Sequence, residues 1–120
     1  MAMPKILIAE DEKTIREVYR RYLAREGFTV VEAADGEEAS LQLLQHNDLD
    51  VVLLDVRMPV VDGATLYDLV RLRHPQAKVI VASVYPLDEQ KNYVRDADDY
   101  FDKAQGPNAL LSKIRSVLTD

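Results

Sequence analysis

Val51-Val52-Leu53-Leu54-Asp55 is an unbroken apolar run closed by a carboxylate, and Val56-Arg57-Met58-Pro59-Val60-Val61-Asp62-Gly63 follows it. Such a run suits a strand buried on both faces. A charge where that strand meets solvent is costly unless something there favours negative charge. Three other strand-like runs also end in polar groups. Ile6-Leu7-Ile8-Ala9 leads to Glu10-Asp11, Val79-Ile80-Val81-Ala82 to Ser83, and Tyr100-Phe101-Asp102 to Lys103. Brought together, these ends would form a pocket of three carboxylates, a hydroxyl and an ammonium.

Working outward, strand-length runs begin near Lys5, Phe28, Val51, Val79 and Asp99, with helical periodicity between them. Ile15, Val18, Tyr19, Tyr22 and Leu23 form one stripe, closed by Gly27 as a C-cap. Asp35 and Glu38 resemble a capping box before Ala39, Leu41, Leu43 and Leu44. Asp62 can cap a third helix through Leu66, Leu69, Val70 and Leu72, stopped by His74-Pro75. A fourth segment, Asp88 to Asp96, is short and polar. Pro107 suits the first turn of a last helix carrying Leu110, Leu111, Ile114, Val117 and Leu118. Strand then helix, five times over, predicts an α/β fold: a five-stranded parallel sheet flanked by five helices. The more polar second and fifth runs belong near the edges, and right-handed crossovers favour the doubly wound order 2-1-3-4-5.

The 120 residues predict one domain, residues 1–120. Absence of cysteine excludes disulfides, thiolate metal sites and cysteine nucleophiles. A formal charge of −6 disfavours direct contact with nucleic acid or an anionic membrane. No apolar stretch approaches the roughly 18 residues of a membrane span, and the start does not read as a signal peptide. The expectation is a soluble, cytoplasmic protein.

In sheets of this order ligands bind beyond the carboxyl ends of the strands, at the switch point between strands 1 and 3. Glu10, Asp11 and Asp55 would stand there and repel one another. A hard cation relieves that conflict, and Mg2+ takes one or two carboxylates plus a phosphate oxygen. Zinc is disfavoured, since only His46 and His74 offer nitrogen and both are expected in polar, helix-ending contexts. With a cation bound, Asp55 could attack phosphorus as a carboxylate nucleophile, with Lys103 and Ser83 holding phosphoryl oxygens. Plainer readings exist for each residue taken singly. Asp11 could be an N-cap, Glu10 a solvated loop charge, Ser83 a turn residue, Lys103 surface charge and Tyr100 edge-strand packing.

From Lys5 to Leu118 these residues resemble the receiver domain of two-component response regulators, with the flavodoxin-like strand order of the chemotaxis receivers. Met58-Pro59 and Asp62-Gly63 match the family's loop after its phosphorylation site. The resemblance implies that Asp55 accepts a phosphoryl group from a sensor histidine kinase or phosphotransfer protein. It implies Mg2+ held by Asp11 directly, Glu10 through water, Asp55, and the backbone carbonyl of Arg57. Ser83 and Lys103 match the signalling hydroxyl and the lysine, and Tyr100 the switch aromatic. Phosphorylation would draw Ser83 in, let Tyr100 turn inward, and change the face of the fourth helix, fifth strand and last helix for a downstream protein or output domain.

Some positions depart from the pattern. Ala104 stands where a proline usually follows the lysine through a cis bond, which before alanine would cost about 2.5–4 kcal/mol. The alternative is a different loop path. Val84 replaces a small residue and would narrow access. Arg57 and Tyr85 lie two residues past Asp55 and Ser83, where bulk is expected to shield the aspartyl phosphate and slow its hydrolysis. Two rival readings follow: a receiver fold that serves as an interaction module without phosphorylation, and a Mg2+-dependent phosphohydrolase. The second lacks the general-acid aspartate two residues after the nucleophile, where Arg57 stands.

Overall fold

The computed structural model describes residues 3–55, 63–84 and 94–119. Five strands form one wholly parallel sheet: β1 (Lys5–Ala9), β2 (Thr29–Ala33), β3 (Val51–Asp55), β4 (Lys78–Ser83) and β5 (Asp99–Asp102). Their order is β2-β1-β3-β4-β5, as the polarity of the runs predicts. Among the described residues four helices flank the sheet: α1 (Lys13–Arg25), α2 (Gly36–Gln45), α3 (Gly63–Arg73) and α4 (Pro107–Thr119). No described helix is long and apolar enough to cross a membrane. Of the segment Asp88 to Asp96 only Val94–Asp96 is described, and it is not helical. The Asp62 cap, Arg57, Met58-Pro59 and Tyr85 lie outside the described residues.

Alternation along the central strands splits the core into two layers. Ile6, Ile8, Val51, Leu53, Ile80, Ala82 and Phe101 meet α1 and α4 on one face. Leu7, Ala9, Val52, Leu54, Val79, Val81 and Tyr100 meet α2 and α3 on the other. Both sides of β3 and β4 are thus buried, which is why their sequences run apolar without alternation.

The helix ends follow their chemistry. Asp35 accepts the Glu38 N–H at 2.8 Å, and the Glu38 carboxylate takes the Ala34 N–H at 3.2 Å, a reciprocal cap. Gly27, just past α1, adopts φ +98, and a Cβ there would lie 2.9 Å from Met3 Cε. The apolar faces are narrower than the periodicity suggests. Val18, Leu41 and Leu44 are exposed and Leu72 is 78% exposed. A helix lying on a sheet buries only the stripe that faces it, here Ala39 and Leu43 in α2 and Leu66 and Val70 in α3. His74 is buried rather than in a polar setting, and its Nε2 donates to the Leu43 carbonyl at 2.6 Å, tying the end of α3 to α2.

Candidate functional site

Strand register assembles the site. Ala9 pairs with Leu54, Asp55 with Ala82, and Ser83 with Asp102, so four carboxyl ends finish at one level. Glu10 and Lys103 are the first residues beyond β1 and β5. Glu10 is 2% exposed, Asp55 4% and Ser83 2%; with His74 they are the buried polar residues of the described chain. Asp11 is exposed at the mouth. Asp11, Glu12, Asp55, Ser83, Val84 and Lys103 line a pocket of about 300 Å³.

One ammonium organises the acids. Lys103 Nζ lies 2.5 Å from Glu10 Oε1 and 3.0 Å from Asp55 Oδ2, with its side chain almost wholly buried. The other Glu10 oxygen accepts the Glu12 N–H at 3.0 Å, and the Glu10 carbonyl accepts Arg16 Nη1 at 2.8 Å. Burial pushes the Glu10 carboxyl up to about 7, against the downward pull of Lys103 and the Glu12 N–H. Burial also works against the Lys103 charge, but its bonds to Glu10 and Asp55 outweigh that and hold it above the ordinary lysine range. Beneath the site Tyr19 stands edge-on to Phe101, ring centres 6.3 Å apart, and burial raises its phenol to about 12.

These facts decide between several of the paired readings. Glu10 is not a solvated loop charge, because it continues the pleat of β1 inward. Asp11 does not cap α1, whose N-cap is Glu12 with no side-chain cap bond. Lys103 is not surface charge. The Lys103–Ala104 peptide is trans, as are all described bonds. The chain takes the other path, a 3-10 turn over Lys103–Gln105, and the ammonium still reaches both carboxylates. Val84 is 67% exposed and lines the pocket rim. Tyr100 is buried in this structure, its hydroxyl donating to the Val94 carbonyl at 2.6 Å and accepting the Ala97 N–H at 3.4 Å. Its ring therefore already points inward.

Sequence reasoning missed Glu12 and Arg16, which brace Glu10, and a network on α3. Arg71 donates to Asp98 Oδ2 at 2.8 Å, to the Ala77 carbonyl at 2.9 Å and to the Tyr67 hydroxyl at 3.1 Å. Tyr67 in turn donates to the Asp96 carbonyl, and Asp98 accepts the Val79 N–H. No local pattern announces the bonds from Arg71 to Asp98 and from Tyr67 to Asp96, 27 and 29 residues apart. Asp102, which caps the turn after β5, could have been read from the same rule that found Asp35.

One oxygen from each of Glu10, Asp11 and Asp55 lies within 4.8 Å of the others, so this acidic cluster can hold a metal ion. Three hard oxygen donors with an open side to the pocket fit a cation that keeps several waters.

Comparison with known proteins converges on one family. Residues 6–115 match the model of the response regulator receiver domain. The transcriptional regulatory protein SrrA of Staphylococcus aureus is 32% identical over 116 residues, covering 95% of this chain and 47% of SrrA. The chain therefore spans about half the length of the curated relatives it matches. A CheY-like receiver domain protein from Methanospirillum hungatei superposes with TM-score 0.89 at 27% identity, over 98% of this chain and 95% of that one. The response regulator TrrA from Thermotoga maritima, solved in complex with Mg(2+)-BeF, gives TM-score 0.86 at 31% identity, over 97% and 100%.

Proposed function

Because the chain belongs to the response regulator receiver domain family, we propose that Asp55 is its phosphoacceptor and that Mg2+ is the cation its acidic cluster takes. It is a receiver domain of two-component response regulators, a signalling domain. The observation that carries the assignment of Asp55 is its place at the end of β3, buried, bonded to Lys103 and flanked by Glu10 and Asp11.

In this reading an Asp55 carboxylate oxygen attacks the phosphorus of a phosphohistidine or a small phosphodonor. A P–O bond forms, the bond from phosphorus to the donor atom breaks, and the leaving group keeps that electron pair. Mg2+ would supply charge neutralisation at the phosphoryl oxygens, held by Asp11, Asp55 and, through water, Glu10, with the Arg57 carbonyl as a further ligand. Lys103 neutralises charge on the Asp55 side, and Ser83 lines the pocket where a phosphoryl oxygen would come. Tyr100, bonded to the Val94 carbonyl, links β5 to the segment before it, and that segment would carry the change to the output face. Kinase or phosphotransfer protein upstream and an output domain or protein downstream complete the assignment, in the cytoplasm. Slow self-dephosphorylation, tuned by Arg57 and Tyr85, is part of it: replacing both with alanine should shorten the phosphoryl lifetime, and an unchanged lifetime refutes that role.

Incubation with Mg2+ and acetyl phosphate, read by intact mass, is expected to add one phosphoryl group, lost in Asp55→Asn. No adduct, with no beryllofluoride binding, would favour the phosphorylation-independent interaction module instead.

A further inference from the structure

Among the described residues Lys103 is the cation bonded to Glu10 and Asp55, but a lysine side chain is a flexible stem whose ammonium holds one position only if its backbone is fixed. That backbone leaves β5 and turns at once. Asp102, with φ −85 and ψ 115, is the last extended residue, and Lys103–Gln105 form a single 3-10 turn. Asp102 Oδ1 accepts the Ala104 N–H at 2.9 Å, a bond that spans Lys103 and fixes its dihedrals from both sides. Beyond it, the Gly106 N–H donates to the Lys103 carbonyl at 3.3 Å. Gly106 has φ +84, which lets the chain enter α4 at Pro107.

Among the described residues the Asp102 carboxylate pairs with no cation, so the turn is what it holds. The charges that act on Glu10 and Lys103 are each other's and that of Asp55, and Asp102 is not among them. Its contribution therefore lies in geometry rather than in field. We infer that Asp102 is a positioning residue: its side chain caps the trans turn after β5 and thereby aims Lys103 at Glu10 and Asp55. The geometry stands by itself, while its consequence for phosphoryl transfer rests on the reading of Asp55 as phosphoacceptor.

Two measurements on Asp102→Ala and Asp102→Asn test this; asparagine keeps the accepting oxygen. The first is competitive acetylation of lysines in the unliganded protein, read per site by mass spectrometry with Lys78 and Lys113 as internal standards. Asp102→Ala should raise the relative labelling of Lys103 about fivefold, the scale of a lost cap, with Asp102→Asn within about twofold of wild type. The second is phosphorylation by acetyl phosphate across a Mg2+ titration. Asp102→Ala should lower the maximal rate about tenfold without raising the Mg2+ concentration for half-saturation, a split that general destabilisation would not give. Unchanged Lys103 labelling in Asp102→Ala, equal damage from both variants, or parallel loss of Mg2+ affinity overturns the inference. If labelling behaves as stated but wild type takes no phosphoryl group, the Asp55 reading fails and the role of Asp102 in holding Lys103 stands.

Discussion

Replacing Glu10 with glutamine should stabilise this protein at pH 8 and leave it nearly unchanged at pH 5. Glu10 is buried, and its carboxyl is pushed from 4.5 up to about 7, chiefly by desolvation. A carboxyl with a raised folded-state pKa contributes stability that is complete below its unfolded pKa. That contribution is lost as pH rises through the folded value. The window is therefore pH 4.5 to about 7. At about 1.4 kcal/mol per unit the shift corresponds to an upper bound of about 3 kcal/mol, or about 2 kcal/mol once screening through the open pocket is allowed for. Glutamine resembles the protonated acid, so it removes this loss at the expense of the ion pair with Lys103, which keeps Asp55. The assay is urea unfolding of both proteins at pH 5 and pH 8 without divalent ions, repeated with millimolar Mg2+. Wild type should lose about 2 kcal/mol between the two pH values and the variant much less. Mg2+ should restore wild type at pH 8 and act weakly on the variant. A wild-type stability flat across this range, or a variant less stable than wild type at pH 8, refutes the reasoning.

Lys103→Met leaves two buried carboxylates facing each other and should cost about 3 kcal/mol at pH 8, with much of the loss recovered in millimolar Mg2+ on denaturant titration. Arg71→Ala removes bonds to Asp98, Ala77 and Tyr67 and should cost about 2–3 kcal/mol by the same measurement. Although burial opposes it, Asp98 is held below the usual carboxylate range by Arg71 and the Val79 N–H, so its stabilisation is present at neutral pH and lost on acidification. Arg71→Ala should therefore flatten the acid limb of the stability profile, and an unaltered limb would count against the network. Tyr100→Phe deletes the bond to the Val94 carbonyl and should cost about 1–2 kcal/mol, with faster amide exchange at Ala97.

The strand ends were legible because burial on both faces leaves no alternation, so the first polar residue after each apolar run marks where the sheet meets solvent. Asp55, Glu10 and Ser83 fall at that boundary, Lys103 follows Asp102 one residue past it, and one register brings the strand ends together. Which of two adjacent acids turns inward was not legible. Glu10 extends the side of β1 that carries Ile6 and Ile8, toward Lys103, while Asp11 leaves the strand. Helix faces were over-read for a related reason. Periodicity counts every leucine near the stripe, but contact with a sheet reaches only part of the circumference, and Leu41, Leu44 and Leu72 fall outside it. The alanine after Lys103 read as a costly cis bond or a different loop path. A capping rule applied to Asp102 would have shown the compensating turn.

The charge count at the strand ends sets an order of events. With Glu10 ionised, Glu10, Asp11 and Asp55 carry three negative charges, and among the described residues the Lys103 ammonium faces them. Lys103 is shared between the two carboxylates, with its shorter contact to Glu10. A phosphoryl group arriving in that state would bring further negative charge to a cluster already in excess. Lys103 can serve Asp55 fully only when Glu10 has another positive partner. A divalent cation at the acidic cluster meets that condition, and the raised carboxyl of Glu10 would fall as it binds. Cation first and phosphoryl second is therefore the sequence that the electrostatics of these four side chains favours, and proton release from Glu10 on Mg2+ binding near pH 7 is its measurable sign.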